Sequence, residues 1–272
     1  MPLNKPLPEF RKPPINEVAC GVLFRTNRKI LAPHLGLLWE RLKPDYTQCQ
    51  EAPPLLATIE TFGPGEGTQQ EFEADFAPLP RIFFIDGPGN RVVQVQRDRF
   101  HHNWRRIKPE DEYPRFGRVY AAFESYFALF QKFLAENELG ECAPIQFELT
   151  YVDHLFQGEG WDKLADVSRV FPDFGWRKNP DRLLANPQTI NWNTTFALPE
   201  DSGRLHISIR SARRKEDGKA LIYLESTVRG LGKDASQKGM QEWFSVAHEW
   251  MLMGFADITS DEIQRRVWER TK

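Results

Sequence analysis

The chain has 272 residues, of which 40% are hydrophobic and 12% aromatic, which excludes a disordered chain and provides enough apolar surface for a folded core. Its formal net charge of −2 excludes a strong overall attraction to nucleic acid or to an anionic membrane. No apolar run approaches the roughly 20 residues of a transmembrane helix, and three widely spaced cysteines argue against a disulfide framework or a zinc knuckle.

Residues 1–14 are polar and rich in proline, which predicts an extended arm that lies over the domain or over a partner. They contain no apolar segment that could serve as a signal peptide, so we expect a soluble cytoplasmic protein. Ordered structure is predicted to begin with a strand over 15–24. A short helix from His34 to Leu42 follows, with apolar residues at helical spacing.

Residues 57–76 form an acidic segment with five Asp or Glu residues and no Lys or Arg. The acidic residues are Glu60, Glu66, Glu71, Glu73 and Asp75. The Gly63-Pro64-Gly65-Glu66-Gly67 centre predicts a loop between two weak strands. The sequence leaves open whether this segment covers a basic surface in an autoinhibitory way.

Two β-rich runs, 81–86 and 91–98, flank the turn residues 87–90 and predict a hairpin. A third strand is predicted through 100–104. The clearest helix of the chain follows over 113–137, where apolar residues recur three and four positions apart. The stripe comprises Phe116, Val119, Tyr120, Phe123, Tyr126, Phe127, Phe130, Phe133 and Leu134. Such a stripe is typical of a helix that covers a core.

After Gly140 the order of predicted elements starts again. The elements are a strand over 147–155, a short helix over 161–170, a loop over 172–187, a hairpin of 189–198 and 204–212, a strand over 220–228 and a helix over 240–255. A last helix is predicted to begin at Thr259, because Thr259 and Glu262 have the spacing of a capping box.

The two halves share the order strand, short helix, loop, antiparallel strands, long helix, which predicts an α+β fold made of two tandem units. The predicted parts are an arm (1–14), a first unit (15–140), a second unit (141–258) and a C-terminal helix (259–272). This organisation resembles the duplicated sheet-and-helix saddle of TATA-box-binding-protein-like folds. A helix-grip fold, which curves a sheet around a long C-terminal helix, is the alternative.

The most distinctive segment is Phe100-His101-His102-Asn103-Trp104-Arg105-Arg106, followed by Tyr113-Pro114-Arg115. With the Pro13-Pro14-Ile15-x-Glu17-Val18 opening and with His248, Phe255 and Ile258-Thr259 near the end, it resembles a sporadically distributed family of uncharacterised bacterial proteins of similar length. The resemblance implies a bacterial protein associated with a mobile or defence locus. It brings no known reaction and no catalytic residues.

The residue types in this segment suit recognition of an anion or a base. Arginine forks bind phosphate or carboxylate in bidentate fashion, and Trp or Tyr faces stack on bases. The candidate binding residues are Asn103, Trp104, Arg105, Arg106, Tyr113 and Arg115. The alternative is structural: Trp104 belongs to the core and the arginines pair with the acidic residues 110–112.

The sequence predicts no catalytic residue, no metal site and no cofactor. His101 and His102 are adjacent, so on a strand they point to opposite faces and cannot share one metal there. The nucleophile elbow, the phosphate-binding loop and the dinucleotide-binding glycine motif are all missing. An enzyme whose site converges in space stays an alternative, which proximity of His248, His102 and His154 would favour.

Basic residues concentrate in two equivalent places, with eight Lys or Arg against four acidic residues over 91–118 and six against two over 204–219. Strand alternation places His206 and Arg210 on the face opposite Leu205, Ile207 and Ile209. We therefore expect a non-enzymatic binding protein whose polar, basic sheet face takes a protein or anionic partner. Nucleic acid and homo-oligomerisation stay open, and a small-ligand pocket under the long helix is the alternative.

Overall fold

The computed structural model describes residues 6–62, 67–71, 79–175, 183–184, 186–232 and 234–272. Their strands alternate between apolar residues on one side and polar residues on the other, as one-sided antiparallel sheets do. The strands are β1 (Ile15–Phe24), β2 (Gln48–Ala52), β3 (Ala57–Thr61), β4 (Gly67–Glu71), β5 (Arg81–Ile85), β6 (Arg91–Gln96), β7 (Arg99–Arg105), β8 (Pro144–Phe156), β9 (Asn191–Ala197), β10 (Arg204–Arg213) and β11 (Ala220–Gly230).

Nine of these strands form one antiparallel sheet in the order β2-β5-β6-β7-β1-β8-β11-β10-β9, and β3 and β4 form a separate hairpin. The first strand of each half, β1 or β8, lies at the centre of the sheet, and the two pair with each other. The last strand of each half, β7 or β11, lies next to it on the outer side. The α+β class predicted from the sequence is thus confirmed, with a large antiparallel sheet.

The α-helices of the described residues are α1 (Ala32–Leu42), α2 (Phe116–Glu136), α3 (Gln237–Ile258) and α4 (Asp261–Arg266). Helix α2 packs on β7 and β1, while α3 packs on β8 and β11, so the two long helices lie side by side on one face of the sheet. No helix among the described residues combines the length and apolar composition that a membrane span requires.

The aromatic stripe of α2 faces the core, as predicted. Phe123 and Phe130 are fully buried, and Phe130 stacks on Phe100 of β7 with 5.3 Å between ring centroids. Phe123 also contacts Phe244 of α3 at 5.2 Å, so the two helices share one core. Burial of each such ring contributes about 1.5–3 kcal/mol to folding.

Helix α2 begins at Phe116, three residues after the predicted start at Tyr113. The reason is Arg115, whose φ of 71° and ψ of 151° lie outside the helical region. The short helix predicted over 161–170 is a 3-10 helix over Leu164–Arg169. The strand predicted over 147–155 corresponds to β8, which is longer at both ends and extends from Pro144 to Phe156.

The C-terminal helix predicted over 259–272 is wrong in extent, because α4 ends at Arg266. Its cap is also not Thr259: the Ser260 hydroxyl accepts the hydrogen bond from Ile263 N–H, while Thr259 donates to Phe255 O. The chain then turns back along the arm, where Lys12 N–H donates to Trp268 O at 3.1 Å. The arm is therefore held on the protein over residues 9–12 by the C-terminus.

Parts of two predicted loops lie outside the described residues. In the acidic segment these are 63–66 and 72–76, which include Glu66, Glu73 and Asp75, and in the 172–187 loop they are 176–182 and 185. The predicted hairpins of 81–98 and 189–212 are confirmed by the pairing of β5 with β6 and of β9 with β10.

Candidate functional site

The face of the sheet opposite α2 and α3, here called the open face, carries rows of polar side chains. One row crosses all nine strands through directly opposed residues. Its members are Gln50, Phe83, Gln94, His101, Gly21, Glu148, Arg229, Arg204 and Ala197.

Gly21 in this row allows a contact between strands that are not neighbours. A Cβ on Gly21 would lie 2.1 Å from His101 Cδ2, so the imidazole occupies the space above the glycine. His101 Nε2 thereby reaches Glu148 Oε2 at 3.1 Å, across β1. Burial alone would raise the pKa of Glu148, but the hydrogen bond from His101 and the charges of His101 and Arg229 lower it to about 2.

Strand β3, the part of the acidic segment that contains Glu60, lies on one end of the open face. Glu60 accepts hydrogen bonds from Arg204 at 2.8 Å and from His206 at 2.7 Å, and its side chain is 1% exposed. Its backbone N–H donates to the Gln146 side chain, which donates back to Thr58 O. Burial would raise the pKa of Glu60, but the hydrogen bonds from His206 and Arg204 lower it, so the carboxylate is anionic.

The other end of the open face carries a strip of cations and aromatic rings, here called the basic strip. His154, Tyr223 and Arg210 are opposed across β8, β11 and β10, and the Arg210 guanidinium lies 4.1 Å from the Tyr223 ring centroid. Next to them, Arg214 and Lys219 lie over the ring of Phe156 at 4.7 and 5.2 Å. Arg210 is exposed to solvent.

His154 and Phe156 also line a groove of about 680 Å³, here called the arm groove. Its walls come from the arm, from the 106–115 segment, from the end of β8 and from the C-terminus. Its lining includes Arg11, Lys12, Arg106, Tyr113, Arg115 and Trp268. Acidic residues Glu110, Asp111, Glu112 and Glu159 line it as well.

Two features of the arm groove lower the stability of the fold, which a surface with only a structural role does not require. The Nε of Arg106 is buried and has no hydrogen-bond partner among the described residues. Arg115 adopts a backbone conformation that is nearly restricted to glycine and costs about 1–3 kcal/mol in other residues. Its guanidinium donates to Phe10 O at 3.1 Å, so the strained residue also fixes the arm.

Beneath the arm, on the helix side of the sheet, lies a small cavity of about 30 Å³. Asp153 lines it, and burial raises the pKa of its carboxyl group to about 7, although Arg106 opposes the rise. Nearby, hydroxyl groups connect the groove to α3, because Tyr113 bonds Tyr151 at 3.1 Å and Tyr151 bonds His248 Nδ1 at 3.0 Å. Burial lowers the pKa of His248 to about 4.

The eight binding residues predicted from the sequence fall in separate places. Arg106, Tyr113 and Arg115 come together in the arm groove, and Arg210 lies in the basic strip. Asn103 and Arg105 lie on the open face, where Asn103 donates to Glu17, and Arg105 donates to Gly89 O at 2.8 Å. Trp104 is buried on the helix side, 5.5 Å from the Tyr113 ring, which agrees with the structural alternative. His206 bonds to Glu60 as described above.

In the structural alternative, the acidic residues 110–112 pair with the arginines. Asp111, at the centre of this run, has other partners. Asp111 accepts hydrogen bonds from the Asn90 side chain, from Ile107 N–H and from Lys108 N–H. These bonds lower the pKa of its carboxyl group. The carboxylate therefore holds its own loop together.

The histidines have different neighbours. His102 contacts Tyr46 at 3.0 Å on the helix side, His154 lies against Tyr223 on the open face and His248 bonds Tyr151. Burial lowers the pKa of His102 to about 3. Within the part of the chain that the structure describes, no group of three or more His, Cys, Asp or Glu residues is arranged to hold a metal ion.

The space beneath α2 is filled by its own rings. A surface cleft of about 110 Å³ lies between α2 and the start of α3, lined by Phe127 and Met240 among others. Like the cavity of about 30 Å³ beneath α3, it lies below the roughly 300 Å³ at which ligand pockets begin.

A comparison of this chain with protein-family models, with curated proteins and with solved structures found no match. The geometry alone therefore bears on the function of the site. The sequence left open whether the acidic segment covers a basic surface, but it did not single out Glu60 as the residue that contacts Arg204 and His206. It also missed Tyr223, whose ring lies between Arg210 and His154. The alternation of β11, which places Tyr223, Glu225, Thr227 and Arg229 on one face, could have indicated the second.

Proposed function

We propose that this protein is a non-enzymatic binding protein that takes an acidic, extended segment of a partner protein on the basic strip and in the arm groove. The observation that carries the proposal is the contact made by its own acidic strand. Glu60 lies against Arg204 and His206, and the backbone around it bonds to Gln146. The open face thus already holds an extended strand in cis through one buried carboxylate, Glu60, and through the strand's backbone.

The basic strip has the same chemistry as the part of the face that Glu60 occupies. His206 and Arg210 lie four residues apart on β10, about 13 Å along the strand. A further acidic segment therefore has room beside β3. Tyr223 supplies a flat surface between Arg210 and His154. In the arm groove, Arg106 and Arg115 supply further guanidinium groups, beside the acidic residues that also line it.

A duplicated origin of the fold would make both halves contribute to one binding face. Each half places its first strand at the centre and its remaining strands outwards, which favours divergent duplication and a saddle resembling TATA-box-binding-protein-like folds. The rows that cross β1 and β8 without interruption support this continuity.

The test is a binding titration with a fluorescently labelled acidic peptide of extended character, built from alternating Glu and Thr residues, at low and at high ionic strength. We expect saturable binding that weakens with salt, since the contacts are charged and largely exposed. Arg210→Glu should weaken binding about tenfold, which corresponds to about 1.4 kcal/mol. A labelled oligonucleotide of similar charge is the competing probe.

Lys132→Glu is the matched control, because Lys132 is exposed on α2, on the other side of the sheet. It makes the same change in net charge and should leave peptide binding unchanged. Equal weakening by Lys132→Glu and Arg210→Glu would reveal an unspecific charge effect. Tighter binding of the oligonucleotide than of the peptide would contradict the proposal and indicate that the partner is a nucleic acid.

A further inference from the structure

Among the residues that the structure describes, no strand pairs with the outer edge of β9, and the sequence of β9 differs from that of the strand at the opposite edge of the sheet. β9 ends the strand order and pairs with β10 over seven residues without a register shift. Natural edge strands are usually protected by charges, proline or bulges. β2, at the other edge, contains Glu51, whereas β9 reads Asn-Trp-Asn-Thr-Thr-Phe-Ala and contains no charge, no proline and no bulge.

The hydrogen bonds at the two ends of the β9–β10 pair show which backbone groups of β9 point away from the sheet. Leu198 N–H donates to Gly203 O, and Ser211 N–H donates to Ile190 O, at the two ends of the β9–β10 pair. Hydrogen-bonded pairs recur at every second residue of an antiparallel ladder, so the even-numbered residues of β9 bond to β10. The odd-numbered residues Asn191, Asn193, Thr195 and Ala197 therefore direct their N–H and C=O groups away from the sheet.

We propose that this edge pairs with the β9 of a second copy of the chain, antiparallel about a two-fold axis through Thr194. The strand is self-complementary about that residue. With Thr194 opposite itself, Asn193 faces Thr195 and Asn191 faces Ala197, so all outward backbone groups of both copies meet in about eight hydrogen bonds. No charged residue of β9 faces a like charge, because the strand has none.

The same register pairs the aromatic residues. Phe196 is 45% exposed, although it is a large apolar side chain, and Trp192 lies at the same edge, stacked on Phe174 with 4.7 Å between centroids. In the proposed dimer each Trp192 stands directly opposite the Phe196 of the second copy, in a non-hydrogen-bonded pair where side chains approach most closely. The pairing covers the exposed ring twice, once on each side of the axis.

The oligomeric state of the full chain tests the proposal, measured by sedimentation over a range of concentrations. We expect a dimer for the natural sequence. Asn193→Pro removes an outward N–H without touching the β10 ladder, and Phe196→Asp removes the aromatic pair, so each should raise the dimer dissociation constant at least about a hundredfold. Asn193→Ala, which keeps the N–H, should leave a dimer. Unchanged circular dichroism and thermal unfolding would show that the variants fold.

A cysteine at the axis tests the register. In a Cys49→Ser background, which removes the exposed natural thiol, Thr194→Cys should form a disulfide-linked dimer on mild oxidation, because the two Cα atoms would lie about 4.5 Å apart. Ala197→Cys places the two sulfurs about 20 Å apart and should not cross-link. A monomer at every concentration, a dimer insensitive to both Asn193→Pro and Phe196→Asp, or cross-linking at 197 rather than 194 would each overturn the proposal.

Discussion

Asp153→Asn is the substitution whose effect can be worked most directly from the structure. Asp153 is 3% exposed and lines the small cavity beneath the arm. Burial raises the pKa of its carboxyl group from the ordinary 3.8 to about 7. Each pKa unit corresponds to about 1.4 kcal/mol, so the folded protein holds this carboxyl in its neutral form with a preference of about 4 kcal/mol.

The raised pKa of Asp153 determines how the free energy of unfolding changes with pH. Below about pH 4 the group is neutral in both the folded and the unfolded chain and has no effect on the free energy of unfolding. As the pH rises from about 4 to 7 the unfolded chain loses this proton freely while the folded protein retains it, so the natural protein loses stability. The amide introduced by Asp153→Asn has no proton to lose, so the variant should become the more stable protein, by up to about 4 kcal/mol above pH 7.

Urea unfolding of the two proteins at intervals between pH 4 and pH 8 measures this difference, and titrations common to both proteins cancel. Asp162→Asn, at an exposed position on the following loop, is the matched control for the loss of one carboxyl group. If the difference between Asp153→Asn and the natural protein is also constant across this range, burial of a neutral Asp153 carboxyl is refuted.

Three further substitutions probe the core, the open face and the arm groove. Phe123→Ala should lower the free energy of unfolding by about 3–5 kcal/mol, measured in urea, whereas Leu37→Ala, at an exposed position of α1, should change it by less than about 1 kcal/mol. Gly21→Ala should cost about 2 kcal/mol by displacing His101 from Glu148, and the cost should fall in a His101→Ala background, as a double-mutant cycle can measure. Arg115→Gly should raise the melting temperature relative to Arg115→Ala, because only glycine adopts this backbone conformation without strain.

Much of the fold follows from local patterns in the sequence. β1 has the predicted bounds of 15–24, because its apolar run is bordered by prolines before it and polar residues after it. The α2 helix follows from its aromatic stripe, but its start does not, since no local pattern marks the non-helical conformation of Arg115, whose side chain contacts the distant Phe10 O. The cap at Ser260 was missed because Thr259 and Ser260 are both good capping residues and only their contacts distinguish them.

The candidate site was predictable only in part, because a sequence pattern relates residues that are close in the chain and not residues that meet only in the fold. Arg106, Tyr113 and Arg115 lie close in sequence and stay together in the arm groove, so composition alone could indicate them. Glu60 and Arg204 are 144 residues apart and meet only through the order of the strands. Pairing across β8 and β11 likewise brings His154 to Tyr223, and no short-range pattern contains that information.

The most direct test of the central claim, that the open face binds an acidic protein segment, is native mass spectrometry of the protein isolated from an extract of the cells that encode it, at low and at moderate salt. The natural protein and Lys132→Glu should retain a bound protein at low salt and lose it as salt rises, while Arg210→Glu should retain less of it at low salt. A natural protein that is bare at low salt, or that carries a metal ion or a small apolar molecule in place of a protein, would contradict the claim.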